Sequence, residues 1–294
     1  MKRTDLILRS MMFVPGHNKK LLESASKSNA DALILDMEDS VMPQYNKEIA
    51  RNLTCECIND GMFRNFRVFP RINDIESGYL LKDIQALTIK GVDGFVYPKS
   101  LRGSDIHFID KLLETVEYEK KLEIGTFKII PLIETASAVY NAQEICMASN
   151  RVIALTFGCE DFVADLEGIH DPDGNSLFVP RALIAMAARA TGVLPIDTVH
   201  INVHNLQELR KNLSLARSLG FEGQLALHPK EIDIIHEYYT PTKNEVDDAI
   251  EMIKLYYEAE KDGKGVVVKD NKFIGPPMLR AAKKVIKRKS RIKS

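Results

Sequence analysis

Acids stand just past two short apolar runs. Glu134 follows Ile129-Ile130-Pro131-Leu132-Ile133, and the pair Glu160-Asp161 follows Val152-Ile153-Ala154-Leu155-Thr156-Phe157-Gly158-Cys159. Carboxylates are hard oxygen donors, and Glu134 with Asp161 would suffice to hold a Mg²⁺ ion that keeps positions open for substrate. The same acids would also serve to cap the helices that follow them. Further polar groups recur at comparable places: Gly16, Asn18, Glu38, Asp39, Arg71, Asn73, Lys99 and His228. Arg71 offers a planar fork for a substrate carboxylate, or a structural ion pair with Glu38 or Asp39. Lys99, if desolvated, could form a Schiff base with a ketone; among so many acids and cations it could equally stay an ordinary charged lysine. Gly158 lets the backbone approach a ligand and present N–H groups to a developing oxyanion, or it simply makes a turn.

These residues can act together only if the elements carrying them converge. Eight short strand candidates recur, at 11–15, 32–36, 66–72, 94–97, 129–133, 152–157, 196–203 and 224–227. Amphipathic segments at 19–29, 78–90, 136–148, 180–191 and 206–219 lie between them, with Gly192 and Gly220 as C-cap signals. Strand alternating with helix predicts a parallel sheet. Eight repeats predict a closed (β/α)₈ TIM barrel, an α/β fold that gathers the residues past each strand on one rim. Beyond it, 243–261 reads as a charged helix, 266–274 as a hairpin, and a last helix begins near Pro277. The division expected is a TIM-barrel catalytic domain over 1–240 and a C-terminal helical extension over 241–294, packing on a neighbouring subunit. The basic stretch 283–294 reads as a solvated, frayed terminus.

The formal net charge of −1 argues against a generally electrostatic nucleic-acid or membrane binder. No apolar stretch approaches the ~20 residues of a membrane span, and Arg9 interrupts the only apolar run near the start. Cys55, Cys57, Cys146 and Cys159 have no zinc or redox spacing and read as free thiols of a cytoplasmic protein.

The segment Arg9-Ser10-Met11-Met12-Phe13-Val14-Pro15-Gly16 resembles the opening motif of the citrate lyase β-subunit and malyl-CoA lyase family. Asp36-Met37-Glu38-Asp39-Ser40-Val41, Pro70-Arg71-Ile72-Asn73, Tyr97-Pro98-Lys99, Leu132-Ile133-Glu134-Thr135, Gly158-Cys159-Glu160-Asp161 and Leu227-His228-Pro229 follow in that family's order. The resemblance covers essentially the whole chain. It implies a Mg²⁺-dependent lyase that cleaves a 3-hydroxy-acyl thioester, of the citryl-, citramalyl- or malyl-CoA type or on an acyl-carrier protein, into an acyl thioester and an oxo acid. It implies Glu134 and Asp161 as metal ligands, Arg71 holding the carboxylate of the oxo-acid portion, Asn18 and Lys19 near the CoA moiety, and assembly as a homotrimer or homohexamer. Glu38 and water, and more distantly Asp270, are candidates to supply the proton that the thioester enolate needs. Two departures stand out. The loop reads His17-Asn18-Lys19-Lys20 where relatives often carry Asn-Arg-Pro, and Gly275 takes the place of an aspartate in the C-terminal segment. The second departure keeps an alternative in view, a carrier-dependent or non-catalytic acyl-thioester-binding subunit of a larger complex.

Overall fold

The structure is a computed structural model that describes residues 6–171, 174–261, 263, 265–269 and 272–292. The chain forms two compact units, residues 1–236 and 237–294. In the first, strand and helix alternate: β1 (Ser10–Pro15), α1 (Lys19–Ala25), β2 (Ala32–Asp36), α2 (Asn46–Asn59), β3 (Arg67–Val68), α3 (Leu80–Leu87), β4 (Gly94–Tyr97) and α4 (Gly103–Glu119). The series continues through β5 (Lys128–Ile133), α5 (Ala136–Met147), β6 (Ala154–Phe157), α6 (Cys159–Asp165), α7 (Asn175–Thr191), β7 (Leu194–Asp197), α8 (Leu206–Leu219), β8 (Gly223–Ala226) and α9 (Pro229–Tyr239), whose last residues, from Glu237, belong to the second unit.

All eight strands pair in parallel, in the order β3-β2-β1-β8-β7-β6-β5-β4. The two ends of this sheet meet through Arg71, which bridges to Asp36 on one side and Val96 on the other. The result is the nearly closed TIM barrel that eight repeats predict. Every strand, or the residue just beyond it, supplies an apolar side chain to one buried cluster, including Met11, Ile34, Phe69, Val96, Ile130, Ala154, Ile196 and Leu225. That cluster fills the barrel. The alternate residues Leu33 and Leu35 are just as buried on the outer face, as expected of strands covered by helices.

Two strands differ from expectation. A continuous strand over 66–72 is not formed; the regular ladder stops at Val68, because Pro70 has no N–H to give it. The seventh strand is Leu194–Asp197, not 196–203: Asp197 turns into a buried ion pair with Arg181 (2.5 Å), and His200 bonds the Asn205 carbonyl (3.1 Å) in a loop.

The second unit contains α10 (Lys243–Lys261), an antiparallel hairpin of β9 (Val267–Lys269) and β10 (Lys272–Ile274), and α11 (Pro276–Arg291), which packs on α10. The basic stretch from 283 is therefore helical to Arg291 rather than frayed. It is held by a bond from Arg288 Nε to the Tyr239 carbonyl (2.9 Å), and Lys283 Nζ lies 5.1 Å from the Tyr257 ring centroid. Asp270, a distant candidate proton donor, lies outside the described residues.

Candidate active site

The loop after β2 is shaped by its own first residue. Asp36 Oδ1 accepts from the Glu38 N–H (3.0 Å), while Oδ2 accepts from the Ser40 N–H (3.1 Å) and hydroxyl (2.5 Å). A short side chain that satisfies backbone N–H groups two and four residues ahead folds the chain into a tight turn. The same carboxylate takes the Arg71 fork, with Nε and Nη2 each at 2.7 Å. Arg71 Nη1 then reaches Glu38 Oε2 at 2.9 Å and Asp39 Oδ2 at 3.6 Å, and the guanidinium lies 4.9 Å from the Phe13 ring centroid. The sequence left Arg71 between a substrate fork and an ion pair. Its bidentate edge is occupied by Asp36, a partner the sequence reading did not assign, so a ligand can use only the Nη1 side that it shares with Glu38.

Glu38 is buried between two cations, Arg71 and Lys99, whose Nζ stands 3.1 Å from Glu38 Oε1. Burial pushes its carboxyl up to about 7, against the pull of Arg71 and with the neighbouring Asp39 adding to the rise. Lys99 also pairs with Asp74 (2.9 Å). Burial would lower its pKa, but its hydrogen bonds and charge contacts with Asp74 and Glu38 raise it above the usual lysine range. A Schiff base needs a neutral amine, so this setting disfavours that chemistry.

The Lys99 backbone is itself unusual. Its φ of 50° is left-handed, a conformation that costs a non-glycine residue about 1–3 kcal/mol. The gain is local: the Lys99 N–H donates to Glu134 Oε2 at 2.6 Å.

Glu134 ends its strand almost fully buried. Burial pushes its carboxyl up to about 8; the Lys99 N–H and Arg71 oppose this, while the negative charges of Glu38 and Asp161 add to it. Asp161 lies exposed in the first turn of α6, close enough for its charge to be felt at Glu134. Gly158 lies against the Glu134 side chain. A Cβ there would stand 2.6 Å from Glu134 Cγ, so any side chain would displace the carboxylate. Its N–H is bonded to the Ile133 carbonyl at 2.8 Å, which removes Gly158 as an oxyanion donor and leaves it as a site of close approach.

Asn18, on the loop after β1, and Lys19, the first residue of α1, lie at the same end of the barrel. Asn18 caps α1, its Oδ1 accepting from the Leu21 N–H at 3.2 Å, and Lys19 is exposed. Among the described residues, no hydrogen bond or ion pair links either one to the Glu38–Arg71–Lys99–Glu134 group.

A second layer, not apparent from the sequence, holds the loops after β2 and β3 together. Lys47 Nζ donates to the carbonyls of Met37 (2.8 Å) and Glu38 (2.7 Å) and to Asn73 Oδ1 (2.8 Å). Asn73 in turn bonds Asp83 Oδ2, and Asp83 Oδ1 pairs with Arg51 at 2.9 Å. Each contact spans at least nine residues of chain.

The donor set fits a hard divalent cation. No group of three His, Cys, Asp or Glu forms a ligand cluster among the described residues. Burial, with a smaller contribution from the charge of Asp161, holds the proton on Glu134 until a cation takes its place. A cation accepting two carboxylates and completing its shell with water or substrate suits Mg²⁺.

A model of the HpcH/HpaI aldolase/citrate lyase family matches residues 9–229. The chain belongs to that family. Among relatives, it is 32% identical over 280 residues to the citrate lyase subunit beta of Haemophilus influenzae, covering 95% of this chain and 96% of that one. It is 29% identical to a (3S)-malyl-CoA thioesterase of Cereibacter sphaeroides over 90% of this chain and 89% of that one. Its fold matches that of the protein CitE from Mycobacterium tuberculosis in complex with magnesium, acetoacetate and coenzyme A, with a TM-score of 0.77 at 24% identity over 98% of this chain and all of that one. The citrate lyase beta subunit complexed with oxaloacetate and magnesium from M. tuberculosis aligns with a TM-score of 0.67 at 25% identity, over 81% of this chain and 99% of that one. No helix of the described residues is long and apolar enough to cross a membrane.

Proposed function

We propose that the protein is a Mg²⁺-dependent carbon–carbon lyase that cleaves a 3-hydroxy-acyl thioester into an acyl thioester and an oxo acid. The observation that carries this reading is the buried Glu134 beside Gly158 and within the field of Asp161, next to a Glu38 set between two cations. Citrate lyase subunit beta relatives, and a related beta subunit complexed with oxaloacetate and magnesium, support it.

Glu134 and Asp161 would hold the metal. Once bound, Mg²⁺ would supply Lewis acidity toward the hydroxyl and carboxylate oxygens of the oxo-acid portion. Arg71 Nη1 would orient the carboxylate, so that the scissile bond is aligned before reaction. Glu38, with a pKa near 7, would take a proton at Oε2 and return it to the thioester carbon, as suits a group poised near neutral pH. Gly275 offers no acid or base in the C-terminal segment, which favours carbon–carbon cleavage over thioester hydrolysis. We further infer a cytoplasmic homotrimer or homohexamer in which 241–294 packs on a neighbouring subunit, with Asn18 and Lys19 meeting the CoA moiety.

The test is a cleavage assay on the purified chain with citryl-CoA, (R)- and (S)-citramalyl-CoA and malyl-CoA, with Mg²⁺ or with EDTA. Metal-dependent oxo-acid release is expected from one of them. The same Gly275 motivates a second reading, a carrier-dependent or non-catalytic subunit. That reading gains if a folded chain binds CoA yet turns over no free thioester.

A further inference from the structure

The αβ loops at the other end of the barrel border an open cavity of about 540 Å³ that the proposed lyase chemistry does not use. Its floor is apolar, with Ile58, Phe63 and Val92 buried beneath it. Its remaining wall is cationic: Arg64, Arg67 and Lys90 stand around a single carboxylate, Asp93. Asp93 is already committed, with Oδ1 on Arg67 (2.6 Å) and Oδ2 on the Val68 N–H (2.8 Å). That pair is neutral, so Arg64 and Lys90 are in excess.

Arg64 is held in place by its own turn. Its Nε donates to the Gly61 carbonyl at 3.1 Å, and its guanidinium covers the space where a Gly61 side chain would be, 2.6 Å from Nη2. Gly61 has a φ of +75°, so the turn and the empty space go together. Lys90 makes no hydrogen bond or ion pair among the described residues. An anchored guanidinium and an unpaired ammonium over an apolar floor fit a phosphate joined to a flat ring: the fork and the point charge take the anion, and the floor takes the ring. The volume is within the range of small-molecule sites.

We propose that this cavity is a second ligand site for a phosphorylated small molecule carrying a planar ring, of the nucleotide class, on the amino-terminal face of the barrel. It stands independently of the lyase reading, since it shares no residue with the Glu38–Glu134 cluster.

Equilibrium dialysis of ADP against the full chain tests it, with inorganic pyrophosphate as the ring-free comparison. A saturable ADP site is expected that persists in Lys19→Ala, is weakened at least about tenfold (about 1.4 kcal/mol) in Arg64→Ala/Lys90→Ala, and is retained in Arg64→Lys/Lys90→Arg. Both side chains are exposed, so these variants should melt like the parent. Absence of saturable binding, or binding indifferent to Arg64→Ala/Lys90→Ala, overturns the proposal. So does ADP binding lost only in Lys19→Ala, which would place the anion at the other rim. Pyrophosphate binding as tightly as ADP would remove the ring from the ligand class.

Discussion

Glu38 owes its character to position more than to type. A carboxyl buried without countercharge stays protonated well above its ordinary range; two cations within 3.1 Å bring Glu38 back to about 7. Removing one of them has a signed consequence. In Lys99→Ala the Glu38 pKa should rise, shifting the acidic limb of the kcat/KM profile to higher pH and lowering the rate at pH 7 by about tenfold or more. An unchanged profile would show that Lys99 merely positions Glu134. Gly158→Ala tests the other acid: its Cβ must displace Glu134, so activity should fall by about a hundredfold, while overpacking costs about 1–3 kcal/mol of stability. Glu134 also makes stability depend on pH. Its carboxyl holds a proton up to about pH 8 in the folded chain, against an ordinary value of 4.5. Between those values the folded state binds more protons than the unfolded one, so metal-free stability falls as pH rises through that window. Mg²⁺ needs the ionised carboxylate and should raise Tm most near pH 8 and least near pH 5. A Tm increment that is the same at both would count against Glu134 as a ligand.

At the scale of elements, the sequence carried the barrel because each strand is a short apolar run with a turn or helix signal beside it. It carried Glu38, Arg71, Glu134 and Asp161 as candidates because rim residues follow strands. Its failures have physical causes. Pro70 cut the third strand short, yet Arg71 still closed the ring through backbone bridges that no side-chain pattern announces. Asp36 reads as the last residue of an apolar strand, and its claim on Arg71 appears only when β2 and β3 lie side by side. The Lys47–Asn73–Asp83–Arg51 layer joins residues from α2, α3 and the loop after β3, and no local period marks it. This layer fixes two site loops at once. Asp83→Ala would leave Arg51 and Asn73 without their buried partner, and urea denaturation should show a loss of about 3–5 kcal/mol. A loss below about 1 kcal/mol would mean that water replaces the carboxylate.

For the whole molecule, the barrel explains why the chemistry gathers at one end: parallel strands deliver their carboxyl-terminal residues to a common rim. The second unit, 237–294, supplies no acid at Gly275, so the role proposed for it is assembly rather than proton transfer. Sedimentation velocity should find three or six copies of the full chain, and a chain ending at 240 should lose that state. A monomeric full-length protein would remove the assembly role. The central claim is that Glu134 and Asp161 hold the metal at which a thioester is cleaved. The most direct measurement is a Mg²⁺ titration of oxo-acid release by the parent chain, Glu134→Gln and Asp161→Asn under one set of conditions. Saturable activation is expected of the parent, with no measurable activation of Glu134→Gln and a much higher Mg²⁺ requirement for Asp161→Asn. Release that is unchanged by EDTA, or that survives in Glu134→Gln with the parent's metal dependence, would contradict the central claim.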